Sequence, residues 1–291
     1  MRFSISHSSV YRYSKAARSN QNELRLSPLE DDWQNPGEIS FQIEPQPVGP
    51  IRSWHDTFGN LTHWFEVEDP HYELSILATS EVETLPPESS PQAAFQTDLL
   101  GITEEMEQEE PSLHDFLADS LFVKRDPAIW RQALDLVAES ESNYGAVLER
   151  FSHWIFDHCT FDPSYVPQTG TALEVLEMRR GICQDFSHLM LGLCRAIKVP
   201  ARYVSGYLFE PEVLEADPDE HLSHAWVETF LPEVGWIGVD PTNRQWVDER
   251  YIRVAYGRDY YDVPPVKGTL IGGGQNRELK VKVLVSEVVS H

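Results

Sequence analysis

The stretch Arg179–Tyr207, RRGICQDFSHLMLGLCRAIKVPARYVSGY, decides how the chain is read. Phe186, Leu189, Met190, Leu193, Cys194 and Ile197 recur at helical spacing, and Gly181 stands two residues before Cys183. The pattern predicts a helix with Cys183 in its first turn. The positive end of the helix dipole and the orphan N–H groups there favour a thiolate, the form of cysteine that acts as a nucleophile. Lys198-Val199-Pro200 ends the helix, because proline cannot continue it, and Ala201 to Tyr207 reads as a strand. Taken alone, the same pattern also fits a small buried residue at a helix start.

The next structured stretch resolves that ambiguity. His224-Ala225-Trp226-Val227-Glu228-Thr229-Phe230 and Trp236-Ile237-Gly238-Val239-Asp240 flank a turn and read as a β-hairpin. With Pro232-Glu233-Val234 as the loop, Trp226 lies opposite Asp240 and His224 is its diagonal neighbour, on the same face, with Cα atoms about 7–8 Å apart. A slip of one residue would separate the two side chains. A thiol at a helix start with an imidazole and a carboxylate on adjacent strands is the arrangement nucleophilic catalysis needs. The base sits beside the nucleophile and a third group fixes the imidazole tautomer. Cys183, His224 and Asp240 are therefore the expected catalytic residues. Papain-type enzymes place the histidine about 130 residues or more beyond the cysteine; the gap here is 41 residues, which calls for a more compact core.

These segments resemble the transglutaminase-like superfamily, specifically bacterial proteins that join such a core to an N-terminal β domain. The resemblance rests on Gly181-Ile182-Cys183-Gln184-Asp185-Phe186, Pro200 to Tyr207, Ser223 to Glu228, Gly235 to Asn243 and Gly257 to Pro265. It implies an α+β fold: an antiparallel β domain, then a transglutaminase-like core in which the Cys183 helix packs on an antiparallel sheet bearing His224 and Asp240. The corresponding division is an N-terminal all-β domain at 1–85, a linker at 86–111, the catalytic core at 112–265 and a C-terminal β segment at 266–291. It also implies acyl transfer through a thioester. Cys183 attacks a glutamine carboxamide or a peptide carbonyl, His224 protonates the departing amine, and an amine or water resolves the acyl-enzyme. The alternatives are a cysteine peptidase or amidase with water as acceptor, and a non-catalytic interaction module on the same fold.

Secondary roles follow. The Cys183 N–H is an expected oxyanion donor; Tyr165 and Gln184 are candidates for the second, each also readable as structural. Trp226 and Trp236 would wall the site against water, though strand tryptophans also serve as core. Trp226, Gln184 and Tyr165 are thus the expected substrate-contact residues. Asp185 could bind a cation or tune the site, but its place in the first turn favours interaction with the helix dipole. His188 falls off the Cys183 face. His221 and His224, three apart on a strand, point to opposite faces, which weakens a zinc alternative built on Cys, His and Asp. No EF-hand-type loop suggests calcium, and no cofactor or metal is expected.

Residues 1 to about 85 alternate in short strands (Phe3-Ile5-His7, Val10 to Tyr13, Glu23 to Leu26, Glu38 to Ile43, Leu61 to Val67, Leu74 to Val82), as a small sheet or sandwich would. His55, Asp56, His63 and His71 cluster there without a standard ligand spacing. Leu85 to Pro91 has linker composition, and the acidic run Glu104–Glu110 reads as a solvated face. Ile129, Trp130, Ala133, Leu134 and Val137 form one helical stripe, and Val147, Phe151, Trp154 and Ile155 another; Thr171 to Met178 is a short third helix. Val247 to Tyr256 reads as strand, and Leu279 to Val288 alternates as a closing strand that could pair with either domain.

A formal charge of −24, from 47 acidic against 23 basic residues, disfavours nucleic acid and anionic membranes as partners; a protein or peptide substrate is what the family resemblance implies. No window approaches the about 18–20 apolar residues of a membrane span, and no signal-peptide segment is visible. Three cysteines do not make a disulfide framework; Cys159 and Cys194 read as packing residues, and a cytoplasmic location is expected.

Overall fold

The computed structural model describes residues 1–86, 92–99, 113–140, 143–211, 223–275 and 277–288. The acidic run Glu104–Glu110 and His221 lie outside them. Strand β1 (Arg2–Leu24) is the spine of the first region. Strands β2 (Gln34–Pro36), β3 (Ser40–Glu44), β4 (Arg52–His55), β5 (Leu61–Val67) and β6 (His71–Thr84) join it in one antiparallel sheet. Alternation in β1 buries Phe3, Ile5 and His7 and exposes the residues between, which reproduces the period-two pattern of the sequence.

The second region carries helices α1 (Gln92–Phe95), α2 (His114–Leu117), α3 (Pro127–Ala138), α4 (Tyr144–His158), α5 (Ala172–Met178) and α6 (Cys183–Ala196). The short parallel pair β7 (Thr160–Phe161) and β8 (Arg180–Gly181) precedes α6. A five-stranded antiparallel sheet follows: β9 (Ala201–Leu208), β10 (His224–Leu231), β11 (Gly235–Asp240), β12 (Gln245–Trp246) and β13 (Tyr251–Gly257), in the order β12-β11-β10-β9-β13. Helix α6 packs Phe186, Leu189, Leu193 and Cys194 against Ala201, Tyr203, Val227 and Val239 of this sheet. Cys159 and Cys194 are both buried free thiols.

Helix α3 differs from the sequence expectation by one step around its axis. Ile129, Ala133 and Leu136 face inward, whereas Trp130 and Leu134 are 48% and 38% exposed. Trp130 instead borders a groove of about 690 Å³ with Leu117, Val123, Pro127 and Gly192.

The closing strands β14 (Val266–Gly272) and β15 (Arg277–Glu287) settle which region the C-terminal segment joins. Both pair antiparallel with β1, from Phe3↔Glu287 to Leu24↔Val266. Phe3, Ile5, Val82, Val283 and Val285 of that sheet form one apolar cluster with Tyr207, Phe209, Ile252 and Val254 of the other. Polar contacts reinforce it. Gln34 exchanges bonds with the Arg253 backbone (2.7 and 2.9 Å), and Asn60 does the same with Tyr256 (2.9 Å each way). Fully buried Glu228 pairs with Arg253 and Arg202, whose guanidiniums also lie over the rings of Trp33 (Arg253) and of Trp236 and Tyr256 (Arg202). Burial alone would raise the Glu228 carboxyl, but the two arginines hold it down at about 2.

Candidate active site

Helix α6 begins at Cys183, as its spacing predicts. The side chain of Asp185 turns back and accepts from the Ile182 N–H at 2.9 Å, tying down the entry to the first turn. Gly181 makes this fold-back possible, since a Cβ there would stand 2.6 Å from the Asp185 Cβ. Asp185 therefore caps the helix. Burial raises its carboxyl above the usual range, more than the Ile182 bond lowers it. Cys183 itself is partly exposed.

The hairpin register follows the sequence reading. Leu231 pairs with Gly235 and Val227 with Val239, which sets Trp226 opposite Asp240 and His224 diagonal to it. The His224 Nε2 lies 2.7 Å from the Asp240 Oδ2. Cys183 contributes to the electrostatics of His224; with Nε2 committed to Asp240, Nδ1 is the ring nitrogen left for the thiol. Burial opposes an imidazolium here, yet the charge and hydrogen bond of Asp240, with the contribution of Cys183, raise His224 well above 6.5.

Asp240 is fully buried and its carboxylate receives five hydrogen bonds. Its Oδ1 accepts from the N–H groups of Thr242 (2.8 Å) and Asn243 (3.2 Å). Its Oδ2 accepts from His224, from the Asn243 Nδ2 (2.9 Å) and from the Tyr251 hydroxyl (2.8 Å). Burial raises such a carboxyl, but His224 and these donors outweigh it and leave Asp240 below its ordinary value. The Ser152 Oγ donates to the Asp240 carbonyl at 3.2 Å and ties β11 to α4.

Tyr251 and Asn243 escape the sequence reading. Asn243 had a visible signal in Asp240-Pro241-Thr242-Asn243, a pattern suited to a carboxylate that caps its own turn. Tyr251 had none, because a strand tyrosine reads as core.

The expected substrate contacts fare differently. Trp226 is fully buried, stacks on His224 (centroids 6.2 Å apart, 29° between planes) and meets Tyr251 edge-on at 5.1 Å. It therefore supports the imidazole from within the fold and has no surface to offer a substrate, which corrects that expectation. Gly206, paired with His224, leaves the room it needs: a Cβ there would lie 2.6 Å from the Trp226 ring and 2.1 Å from the Ile252 carbonyl. Trp236 is also corrected as a wall of the site. It sits at the turn end of the hairpin, packed on Phe116, Phe230 and Arg202. Gln184 is half-buried beside Cys183.

Tyr165 lies in the loop before α5, next to β8, and its hydroxyl donates to the Glu174 Oε1 at 3.2 Å. Glu174 also accepts from the N–H groups of Gln168, Thr169 and Gly170, so this loop is clasped onto α5. His188 is buried, with Nδ1 at 2.9 Å from the Gly170 carbonyl, and burial lowers it to about 4. It is a packing histidine. Asp56 spends its carboxylate on Arg25, Phe58 and Asn60, and His71 binds Asp69 and Asn20. Among the described residues no group of three or more His, Cys, Asp or Glu is placed to hold an ion. The 690 Å³ groove at the far end of α6 contains none of Cys183, His224 or Asp240.

A helix that begins at a cysteine, a histidine–carboxylate pair on an antiparallel sheet and a preceding β region have the architecture of a papain-like cysteine-enzyme core. The transglutaminase-like superfamily matches residues 131–241, and the bacterial transglutaminase-like N-terminal region matches residues 3–83. The chain belongs to the transglutaminase-like superfamily. An uncharacterized protein of Mycobacterium leprae (strain TN) is 30% identical over 276 residues, covering 94% of each chain. A protein-glutamine gamma-glutamyltransferase of Pseudomonas aeruginosa is 33% identical over 108 residues, 36% of this chain and 16% of that enzyme. The crystal structure of a candidate cysteine protease from Cytophaga hutchinsonii superposes with a TM-score of 0.79 at 20% identity, over 100% of this chain and 92% of that one, and so shares the fold.

Proposed function

We propose that the protein transfers acyl groups through a thioester at Cys183, taking them from a glutamine carboxamide or peptide amide and passing them to an amine or water. The observation that carries this reading is Cys183 at the start of α6 together with His224, whose Nε2 is held by Asp240 at 2.7 Å and whose electrostatics Cys183 enters. Cys183 Sγ attacks the carbonyl carbon, and its proton passes to His224. As the C–N bond breaks, the imidazolium gives that proton to the departing nitrogen. Asp240 holds the ring by Nε2 and stabilises its charge. The Cys183 N–H, at a helix start where such donors lack intrahelical partners, supports the oxyanion. An incoming amine or water then loses its proton to His224, attacks the thioester and restores the thiol.

The partial match to the Pseudomonas enzyme supports a glutamine side chain as acyl donor. The three free cysteines suit a reducing compartment, in keeping with a cytoplasmic protein. Incubation with glutamine-containing peptides, with and without a labelled primary amine, tests the reading by mass spectrometry. Amine incorporation or amide hydrolysis dependent on Cys183 supports it. Equal turnover by Cys183→Ala overturns it.

A further inference from the structure

Tyr251 is tied into a run of hydrogen bonds that starts far from the thiol. Asp248 holds the Arg250 guanidinium at two points, with Oδ1–Nε at 3.0 Å and Oδ2–Nη2 at 2.8 Å. Arg250 Nη2 also donates to the Gln245 Oε1 at 3.3 Å, which fixes how the amide is turned. The Gln245 Nε2 then faces the Tyr251 oxygen and donates to it at 2.6 Å. With that lone pair occupied, the Tyr251 proton points to the Asp240 Oδ2, 2.8 Å away. Every bond in the run has the same direction, from Arg250 to Gln245 to Tyr251 to Asp240. Burial, then the charge of Asp240, raises Tyr251 above its ordinary value, so it stays a protonated donor.

The oxygen that Tyr251 reaches is the one that holds the His224 Nε2. A carboxylate oxygen that accepts from several neighbours, here His224, the Asn243 amide and Tyr251, shares its charge among them. We propose that Tyr251 is a positioning residue that draws part of the Asp240 charge away from His224, at the end of a directed chain beginning at Arg250. The consequence is chemical. An imidazolium held too strongly gives up its proton reluctantly, and His224 must protonate a leaving amine. Tyr251 keeps that transfer easy while its ring, packed on Trp226 and His224, holds the pair in place. The groups that face His224 are Cys183 from α6, Asp240 from β11 and Tyr251 from β13; β9 presents Gly206, which carries no charge. The inference rests on the proposed triad.

The test separates the two claims by working without the thiol. In Cys183→Ala protein labelled with ¹⁵N-histidine, the His224 ring is titrated by NMR, its signals assigned by their loss in the Cys183→Ala/His224→Gln double variant. His224 is expected to titrate above 6.5. Adding Tyr251→Phe removes only the hydroxyl, while Thr242 and Asn243 still hold the carboxylate. The His224 titration then moves upward by about half a unit or more, as expected when a charged acceptor loses one of its donors. Gln245→Ala shifts it in the same sense by less. In the intact enzyme Tyr251→Phe moves the basic limb of kcat/KM upward by a matching amount. A His224 titration that stays in place or falls in Tyr251→Phe overturns the role of Tyr251 alone. An ordinary His224 value in the parent overturns the triad reading, and the inference with it.

Discussion

Asp240→Asn offers a searching test of the site because the structure shows what the new amide would face. All five groups around the carboxylate are donors: the N–H groups of Thr242 and Asn243 at Oδ1, and His224, the Asn243 amide and Tyr251 at Oδ2. If the oxygen of the introduced amide takes the two backbone N–H groups, its NH₂ stands among the other three. The only group there that can accommodate it by a simple proton shift is His224, by exposing a lone pair at Nε2 and carrying its proton on the Nδ1 side. That tautomer cannot take a proton from Cys183. Activity is expected to fall by about 10³–10⁴, the cost of the wrong tautomer in a triad. The buried site also loses a charge-assisted bond and keeps at least one unsatisfied donor, a combined cost of about 3 kcal/mol. Turnover at neutral pH and urea denaturation read the two effects. Activity within tenfold of the parent, or unchanged stability, would refute the argument that Asp240 sets the imidazole tautomer.

Four further outcomes are expected. With His224 raised, kcat/KM falls as pH rises through its folded value above 6.5, because the imidazolium needed by the leaving amine is lost. The stability that the His224–Asp240 pair contributes is fully present between 3.8 and 6.5, and is lost above that range through His224 and below it through Asp240. The denaturation midpoint should show this shape, and Asp240→Asn should flatten it. Glu228→Ala strips the buried partner from Arg253 and Arg202 and should cost about 3–5 kcal/mol in chemical denaturation. Gly206→Ala forces a Cβ against the Ile252 carbonyl and the Trp226 ring and should cost about 3 kcal/mol, with loss of activity; a neutral result in either assay would contradict the packing described.

The positions proposed to carry chemistry were placed correctly from the sequence where local patterns determine geometry. Helical spacing located Cys183 at the start of α6, and a three-residue loop determined the register that joins His224 to Asp240. Contacts between distant segments were not visible. Alternation identifies β15 as a strand, but nothing local says that it pairs with β1. Trp226 has the same composition signal whether it lines a cleft or lies under a histidine, and only the space left by Gly206 decides the matter. Trp130 and Leu134 look like core on a helical wheel, yet the inward face of α3 lies one step round, toward Leu136. Tyr251 acts through one hydroxyl on a residue eleven positions away, on a strand not adjacent to that of Asp240. Helical and strand periodicity do not record such a bond.

A covalent acyl intermediate on Cys183 is the step on which the proposed chemistry depends. It is tested most directly by rapid acid quench of the protein with a glutamine peptide, followed by intact-mass and peptide-level mass spectrometry. An added acyl mass is predicted on the peptide bearing Cys183, with ammonia released, and its discharge when amine or water is allowed to react. Turnover with no adduct at Cys183, or with the adduct on another residue, would contradict it.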